Sequence, residues 1–217
     1  MINIKHIIWD WNGTLLNDGW LFTDLINIVL KKRGLKEISL EDYRQKFCFP
    51  LEKYYKRLGF NFDIEPYDVP SLEFVSLYDK HKFRASLHTN AIGLLRYLNN
   101  RGIKNYLLSA QNDISLKEMV NFYDVSDLFE KVIGTDNMHA RGKKRLGKNL
   151  INSIGASNNE VLFIGDTNLD IEMATSASAL VAAATYGHQS KHRFPIQKNI
   201  IFISDFDELF DLLHQES

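Results

Sequence analysis

This sequence predicts an α/β fold, a doubly wound parallel sheet with an inserted all-helical subdomain. Three observations predict it. From about residue 88 to the C-terminus, short apolar segments alternate with segments of helical period. A separate apolar segment near the N-terminus breaks off into a polar loop, and the block between them, residues 17–87, is helical in its periodicity throughout. Strands alternating with helices of this length pair in parallel and carry helices on both faces. Residues 1–16 and 88–217 then form the core, and 17–87 is an insertion after its first strand.

The elements follow in order. Ile4 to Trp9 is a buried strand running into the turn-prone Asp10-Trp11-Asn12-Gly13-Thr14. In the insertion, Leu21, Leu25, Ile28 and Val29 recur at helical spacing until Arg33-Gly34 stops them. Further helices fall at Leu40–Phe47, Leu51–Leu58 and Ser71–Phe83, and nothing in the block reads as a strand. Thr89 is a plausible N-cap for a helix at Ala91–Asn100, with a strand at Ile103–Leu108 and a helix at Ile114–Phe122 beyond it. Next come a strand at Val132-Ile133, a helix from about Arg145 to Ile154, a strand at Val161–Ile164 and a helix at Leu169–Ala174. Strands at Leu180–Ala184 and Ile200–Ile203 and a helix from Asp205 to Leu212 close the chain.

Composition narrows the function classes. With 217 residues, 45% hydrophobic and 24% charged, the chain can bury a substantial core, and it carries no low-complexity tract. A net charge of −1 gives no global field for nucleic acid or an anionic membrane, so an anionic ligand has to be met locally. Cys48 is the only cysteine, which excludes an internal disulfide and a thiolate metal cage; its neighbours Phe47 and Phe49 mark it as a packed position. The run Ile7-Ile8-Trp9 is too short for a signal-peptide core or a spanning helix, and the expected location is cytoplasmic.

Three apolar strands end in polar residues: Trp9 runs into Asp10, Leu108 into Ser109, and Ile164 into Gly165-Asp166. In an open parallel sheet, ligands bind beyond the carboxyl ends of the strands, so these side chains converge on one crevice. Lys143, near the start of a helix, opens toward the same edge. Two acids, a hydroxyl and an ammonium suit a divalent cation and a phosphoryl group. Each piece has a plainer reading. Asp10 could be a turn residue, Ser109 a cap, Asp166 and Thr167 helix caps with Asp170 favouring the helix start, and Arg141-Gly142-Lys143-Lys144-Arg145 a solvated basic run. That last reading conflicts with the helix dipole, which opposes cations at an N-terminus by about 0.3–1 kcal/mol each. A bound phosphate removes the conflict.

Asp10-Trp11-Asn12-Gly13-Thr14-Leu15 resembles the first motif of the haloacid dehalogenase-like (HAD) superfamily, Asp-x-Asp-Gly-Thr-Leu. Ser109 resembles the second motif, Lys143 the third, and Gly165-Asp166-Thr167-Asn168-Leu169-Asp170 the fourth. The likeness is to the phosphoglycolate-phosphatase-like branch with a helical cap, and it implies a Rossmann-like core and Mg²⁺-dependent hydrolysis of a small phosphorylated metabolite. By this resemblance Asp10 is the nucleophile and forms an aspartyl-phosphate. Mg²⁺ is held by Asp10, the backbone carbonyl of Asn12, Asp166 and Asp170, the last directly or through water. Ser109 with the adjoining Ala110, Thr14 and Lys143 bind the phosphoryl oxygens, and Lys143 also steadies Asp10. Lys144 and Lys148 compete with Lys143 for the third motif, though spacing to the strand at Val161 favours Lys143.

The departure is Asn12, which stands where the family pattern has the aspartate that protonates the leaving oxygen and later activates water. An amide cannot shuttle a proton, and losing general acid–base help typically removes about 10²–10⁴ in rate. The resemblance therefore implies attenuated turnover, or turnover confined to leaving groups that depart unprotonated, such as acyl phosphates, unless His81 or His88 substitutes as the acid. The acidic fourth motif argues against dehalogenation, and Asn12 against phosphoglucomutase-like transfer. A catalytically inactive chain that binds a phosphorylated ligand or a partner is the alternative. Phe22, Tyr54, Tyr55, Arg57 and Phe83 could each face the crevice or the cap's own core, and the oligomeric state, monomer or homodimer, is open.

Overall fold

The computed structural model describes residues 3–135, 143–196 and 200–214. The Arg141-Gly142 half of the basic run lies outside the described residues. Six strands form one parallel sheet: β1 (His6–Trp9), β4 (Lys104–Asn112), β5 (Lys131–Thr135), β6 (Val161–Gly165), β7 (Leu180–Ala184) and β8 (Ile200–Ile203), in the order β5-β4-β1-β6-β7-β8. The chain moves outward from β1 in one direction through β4 to β5 and in the other through β6 to β8. The carboxyl end of β1 is thus a switch point, where helices on the two sides diverge and leave a crevice.

Both faces of the sheet are buried, which is why its strands read as apolar runs rather than as alternating ones. Ile7, Trp9, Leu107, Leu162, Ile164, Ala182 and Ala184 point into one layer. Their sequence neighbours Ile8, Tyr106, Leu108, Phe163, Val181 and Ala183 point into the other. Helices α5 (Ala91–Asn100), α6 (Asp113–Phe122) and α9 (Phe206–His214) contribute to the first layer, α7 (Lys143–Ile154) and α8 (Asn168–Ser176) to the second.

The block between β1 and α5 contains α1 (Gly19–Lys31), α2 (Leu40–Lys46), α3 (Leu51–Arg57) and α4 (Asp68–His81). Its own core is aromatic, with Tyr43, Phe47, Tyr54, Tyr55 and Phe60 packed on Ile26, Val29 and Leu30 of α1, and Cys48 buried among them. Three features differ from the sequence reading. The block is entered and left through a short antiparallel pair, β2 (Leu16–Asn17) with β3 (Ser86–Leu87), where no strand is expected. Two residues per strand are too few to show a period of two. Asn90, in a left-handed conformation, stands at the N-cap of α5 in place of Thr89. Helix α4 starts at Asp68 instead of Ser71, with Pro70 in its first turn, where a missing N–H costs nothing.

Helix α2 is fastened to the core loop after β7. The Arg44 guanidinium donates to the Thr185 carbonyl, the Ser190 N–H to the Arg44 carbonyl at 3.2 Å, and Gln189 Nε2 to the Phe47 carbonyl at 2.9 Å. Among the described residues, no helix is long and apolar enough to cross a membrane.

Candidate active site

Parallel register levels the strand ends. Trp9 lies opposite Leu107 of β4 and Ile164 of β6, so Asp10, Ser109 and Asp166 emerge within two residues of one level, at the same edge. The Asp10 N–H donates to the Ile164 carbonyl at 2.9 Å, which ties the nucleophile candidate to the sheet. Its Oδ1 accepts the Trp11 N–H at 2.7 Å, and its Oδ2 lies 2.7 Å from Lys143 Nζ.

Lys143 is the first residue of α7 and only 1% exposed. Its ammonium bridges Asp10 and Asp170, at 2.7 Å from each, and those two carboxylates offset the dipole conflict of a lysine at a helix start. Lys144 instead pairs with Glu172 on the surface, and Lys148 is exposed. Asp170 closes a capping box with Thr167, its Oδ2 accepting the Thr167 N–H at 3.0 Å and hydroxyl at 2.6 Å. Both Asp170 oxygens are therefore already engaged, one by the lysine and one by the helix start. Asp166 accepts the Thr14 hydroxyl at 3.1 Å and the His188 N–H at 2.5 Å. Thr14 is fully buried behind Asp166, so its hydroxyl orients that acid. Asp10, Asn12, Ser109, Ala110 and Lys143 line a cavity of about 530 Å³ that is roofed by the helical block.

Asp10, Asp166 and Asp170 each offer a carboxylate oxygen within 4.8 Å of the others. Burial pushes the Asp10 carboxyl up to about 8 against the pull of Lys143, and the Asp166 carboxyl up to about 6. Burial works against the charge on Lys143, yet Asp10 and Asp170 raise it above its ordinary value. A strengthened ammonium needs ionised partners, so the contact at 2.7 Å favours the ion pair, and the excess negative charge falls on the remaining acids. Three carboxylates against one ammonium leave a deficit of positive charge. Hard oxygen donors at this spacing fit Mg²⁺, with Asp10 and Asp166 the acids best placed to hold it.

A second polar cluster adjoins the first, and the sequence reading missed it. Asn12 Nδ2 donates to Asp18 Oδ2 and to the Tyr78 hydroxyl, both at 2.7 Å, and Tyr78 donates to the same Asp18 oxygen at 2.9 Å. Asp18 Oδ1 accepts the Gly13 N–H at 2.9 Å and lies 3.1 Å from His188 Nε2, while His188 Nδ1 meets the Tyr43 hydroxyl at 2.5 Å. Burial opposes protonation of His188, but Asp18 raises it. Asp18 and His188 follow strands without any repeating pattern. The available signal was the polar run Thr185 to Ser190 beyond the apolar end of β7, the same strand-end rule that found Asp10. Gly13 is what lets the two clusters touch. At φ +74°, a Cβ there would stand 2.2 Å from both Asp166 Oδ2 and His188 Cδ2; one on Gly187 would stand 2.3 Å from the same Asp166 oxygen.

Neither histidine considered as a substitute acid reaches the cavity lining. His88 packs against Tyr186 and Phe206, with burial lowering its pKa, and His81 ends α4. Of the cap residues left open, Phe22 and Tyr55 line the cavity and Tyr54 belongs to the cap core. Arg57 lines a neighbouring crevice, and Phe83 packs outside on Phe122.

The family model of haloacid dehalogenase-like hydrolases matches residues 7–184. No curated protein matches the sequence. Among solved structures, a haloacid dehalogenase-like family hydrolase from Streptococcus pneumoniae gives a TM-score of 0.83 at 19% identity, covering 99% of this chain and 100% of that one. A structure described as a predicted phosphoglycolate phosphatase from Haemophilus somnus gives 0.78 at 20% identity over 98% and 99% of the two chains. Protein tyrosine kinase A from Mycobacterium tuberculosis gives 0.79 at 15% identity over 97% and 98%. At these identities the likeness is one of fold, and a fold shared by proteins described as a hydrolase and as a kinase does not by itself fix the chemistry. The model match does more, because it runs through β1, the start of α7 and the β6–α8 turn in one alignment: the chain belongs to the haloacid dehalogenase-like hydrolase family.

Proposed function

We propose that this chain is a Mg²⁺-dependent phosphatase acting on a small phosphorylated metabolite through an aspartyl-phosphate, with phosphoglycolate the compound against which other phosphate esters are to be compared. The observation that carries the reading is that Asp10, Lys143 and Ser109 line one cavity, with Asp10 paired to Lys143 and the carboxylate of Asp166 buried beside that of Asp10. The structural neighbour described as a phosphoglycolate phosphatase supports the substrate class.

Asp10, held by the Trp11 N–H and Lys143, attacks phosphorus through a carboxylate oxygen. The new bond is O–P, and the bond that breaks joins phosphorus to the leaving oxygen, which departs with the electron pair. Water then attacks the same phosphorus, freeing inorganic phosphate and restoring Asp10. Lys143 and Ser109 bind the phosphoryl oxygens during both displacements. Asp10, Asp166 and the Asn12 carbonyl would hold Mg²⁺, which would neutralise the charge that otherwise repels the nucleophile. Asp170 positions Lys143.

Asn12 supplies no proton, because its amide hydrogens are committed to Asp18 and Tyr78. This attenuates hydrolysis of esters with poor leaving groups and favours a second reading, a chain that binds a phosphorylated ligand without turning it over. One assay separates the two. Mg²⁺-dependent phosphate release from acetyl phosphate, 4-nitrophenyl phosphate and a simple alkyl phosphate is measured for the native chain, Asp10→Ala and Asn12→Asp. We expect Asp10→Ala to abolish release. Asn12→Asp places two carboxylates within hydrogen-bond distance, so that one retains a proton. We expect it to raise turnover of a simple alkyl phosphate at least tenfold, within the about 10²–10⁴ that acid catalysis supplies. Release by neither the native chain nor Asn12→Asp would leave binding as the function.

A further inference from the structure

The phosphoryl site opens into a chamber whose walls have a different character from its floor. Apart from Asp10 and Lys143, the described lining is largely apolar, with Phe22, Phe49, Tyr55, Leu72, Phe74 and Val75 in it, and its neutral polar groups include Ser71, Ser76, Gln111 and Asn112. Leu72 and Val75 remain 47% and 37% exposed, so their apolar surface is left for something else to cover. At about 530 Å³ the chamber lies within the range of roughly 300–1,000 Å³ typical of small-molecule pockets, and it is far larger than a phosphate and two further carbons require.

Charge discriminates between candidate occupants. Lys143 and His188 are the only basic side chains among the described residues that line the chamber. Lys143 is bonded to Asp10 and Asp170, and His188 to Asp18 and Tyr43. The remaining charged group on the upper wall is an acid, Asp79, held by Lys82 at 2.6 Å. A leaving group that carries a carboxylate would be desolvated there with no uncommitted cation among the described lining residues to meet it. Lys53, Arg57, Lys144 and Arg193 do gather nearby, but they line a separate crevice that shares only Phe49 with the chamber.

Asn12 gives a second, independent argument. With its amide committed to Asp18 and Tyr78, the leaving oxygen receives no proton from that position. Departure is then easiest for an oxygen whose anion is already stabilised, such as a phenolate, whose conjugate acid has a pKa of about 10.

We propose that the substrate of this site is a phosphate ester with an uncharged aromatic leaving group, and not a carboxylated ester of the phosphoglycolate kind. The proposal rests on the phosphatase reading for its phosphoryl site, and it names what the cap selects.

The test uses two phosphonates of equal backbone, benzylphosphonate and phosphonoacetate, which put a phenyl ring or a carboxylate on the same methylene. Binding to the full chain is measured by calorimetry with Mg²⁺, beside orthovanadate, which reports the phosphoryl floor alone. We expect benzylphosphonate to bind at least tenfold more tightly than phosphonoacetate. Val75→Arg, on a half-exposed helix position, should remove or reverse that preference while leaving orthovanadate affinity unchanged; Leu72→Arg serves if the first variant does not fold. Equal or tighter binding of phosphonoacetate, with orthovanadate bound, overturns the aromatic assignment and leaves the phosphatase reading standing. Binding of none of the three overturns both.

Discussion

The Asp10–Lys143 cluster and the Asp18–His188 cluster lie on either side of one turn, yet they differ in origin and in charge. The first is made wholly from the core, from the ends of β1 and β6 and the starts of α7 and α8. The second joins the core to the cap, with Tyr43 from α2 and Tyr78 from α4 closing on Asp18 and His188. In the first, three buried carboxylates share one ammonium, and burial pushes the Asp10 and Asp166 carboxyls up. In the second, one carboxylate faces an imidazole that it helps to protonate and is otherwise surrounded by neutral donors. The comparison teaches that one cluster is built to receive something and the other is complete as it stands. The first has the carboxylates a cation would need; the second is closed by the cap.

That contrast can be broken by substitution. The largest effect is expected from Lys143→Met, which leaves Asp10 and Asp170 buried without their ammonium. Removing one partner of a buried pair costs about 3–5 kcal/mol, read as a lower urea midpoint, and Mg²⁺ should recover part of it. If instead the variant is as stable as the native chain, the first cluster is not under electrostatic load. Next in size is the metal itself. Mg²⁺ at a hundredfold excess over its dissociation constant should stabilise the native chain by about 2.7 kcal/mol, in a thermal or urea titration. Asp166→Asn should lose that increment and Tyr78→Phe should keep it. Loss of the increment in Tyr78→Phe would show the two clusters to be one unit. Smallest is Tyr78→Phe alone, which deletes one hydroxyl that donates to Asp18 and accepts from Asn12, at a cost of about 1 kcal/mol in urea unfolding.

The same contrast explains what could be read from the sequence. Asp10, Ser109 and Asp166 were legible because each follows an apolar run, and parallel pairing carries such ends to one level. Lys143 was legible because a cation at a helix start needs an anionic partner, and the structure gives it two. Asp18 and His188 were not. Asp18 follows a strand of only two residues and His188 stands four residues beyond β7, and their partners Tyr43 and Tyr78 have the spacing of packed helix residues, so only the docking of cap on core brings the four together. The β2–β3 pair was hidden for a related reason, since its partners lie some seventy positions apart, Leu16 opposite Leu87, and neither strand is long enough to announce itself. Thr14 was assigned toward the ligand by motif alone, whereas its hydroxyl faces Asp166 from behind.

Gly13 and Gly187 approach the same oxygen of Asp166 from two directions, each at a distance that has no room for one more carbon. On the side of that oxygen the wall is the main chain of two glycines, and main chain cannot swing away as a rotamer can. A methyl group at residue 13 would collide at once with an oxygen of the proposed metal site and with the imidazole that anchors the cap. To make space, the Asp166 carboxylate and the His188 imidazole would both have to leave the partners that hold them. Across the whole molecule, this one missing carbon fixes how near the chemistry may stand to its lid.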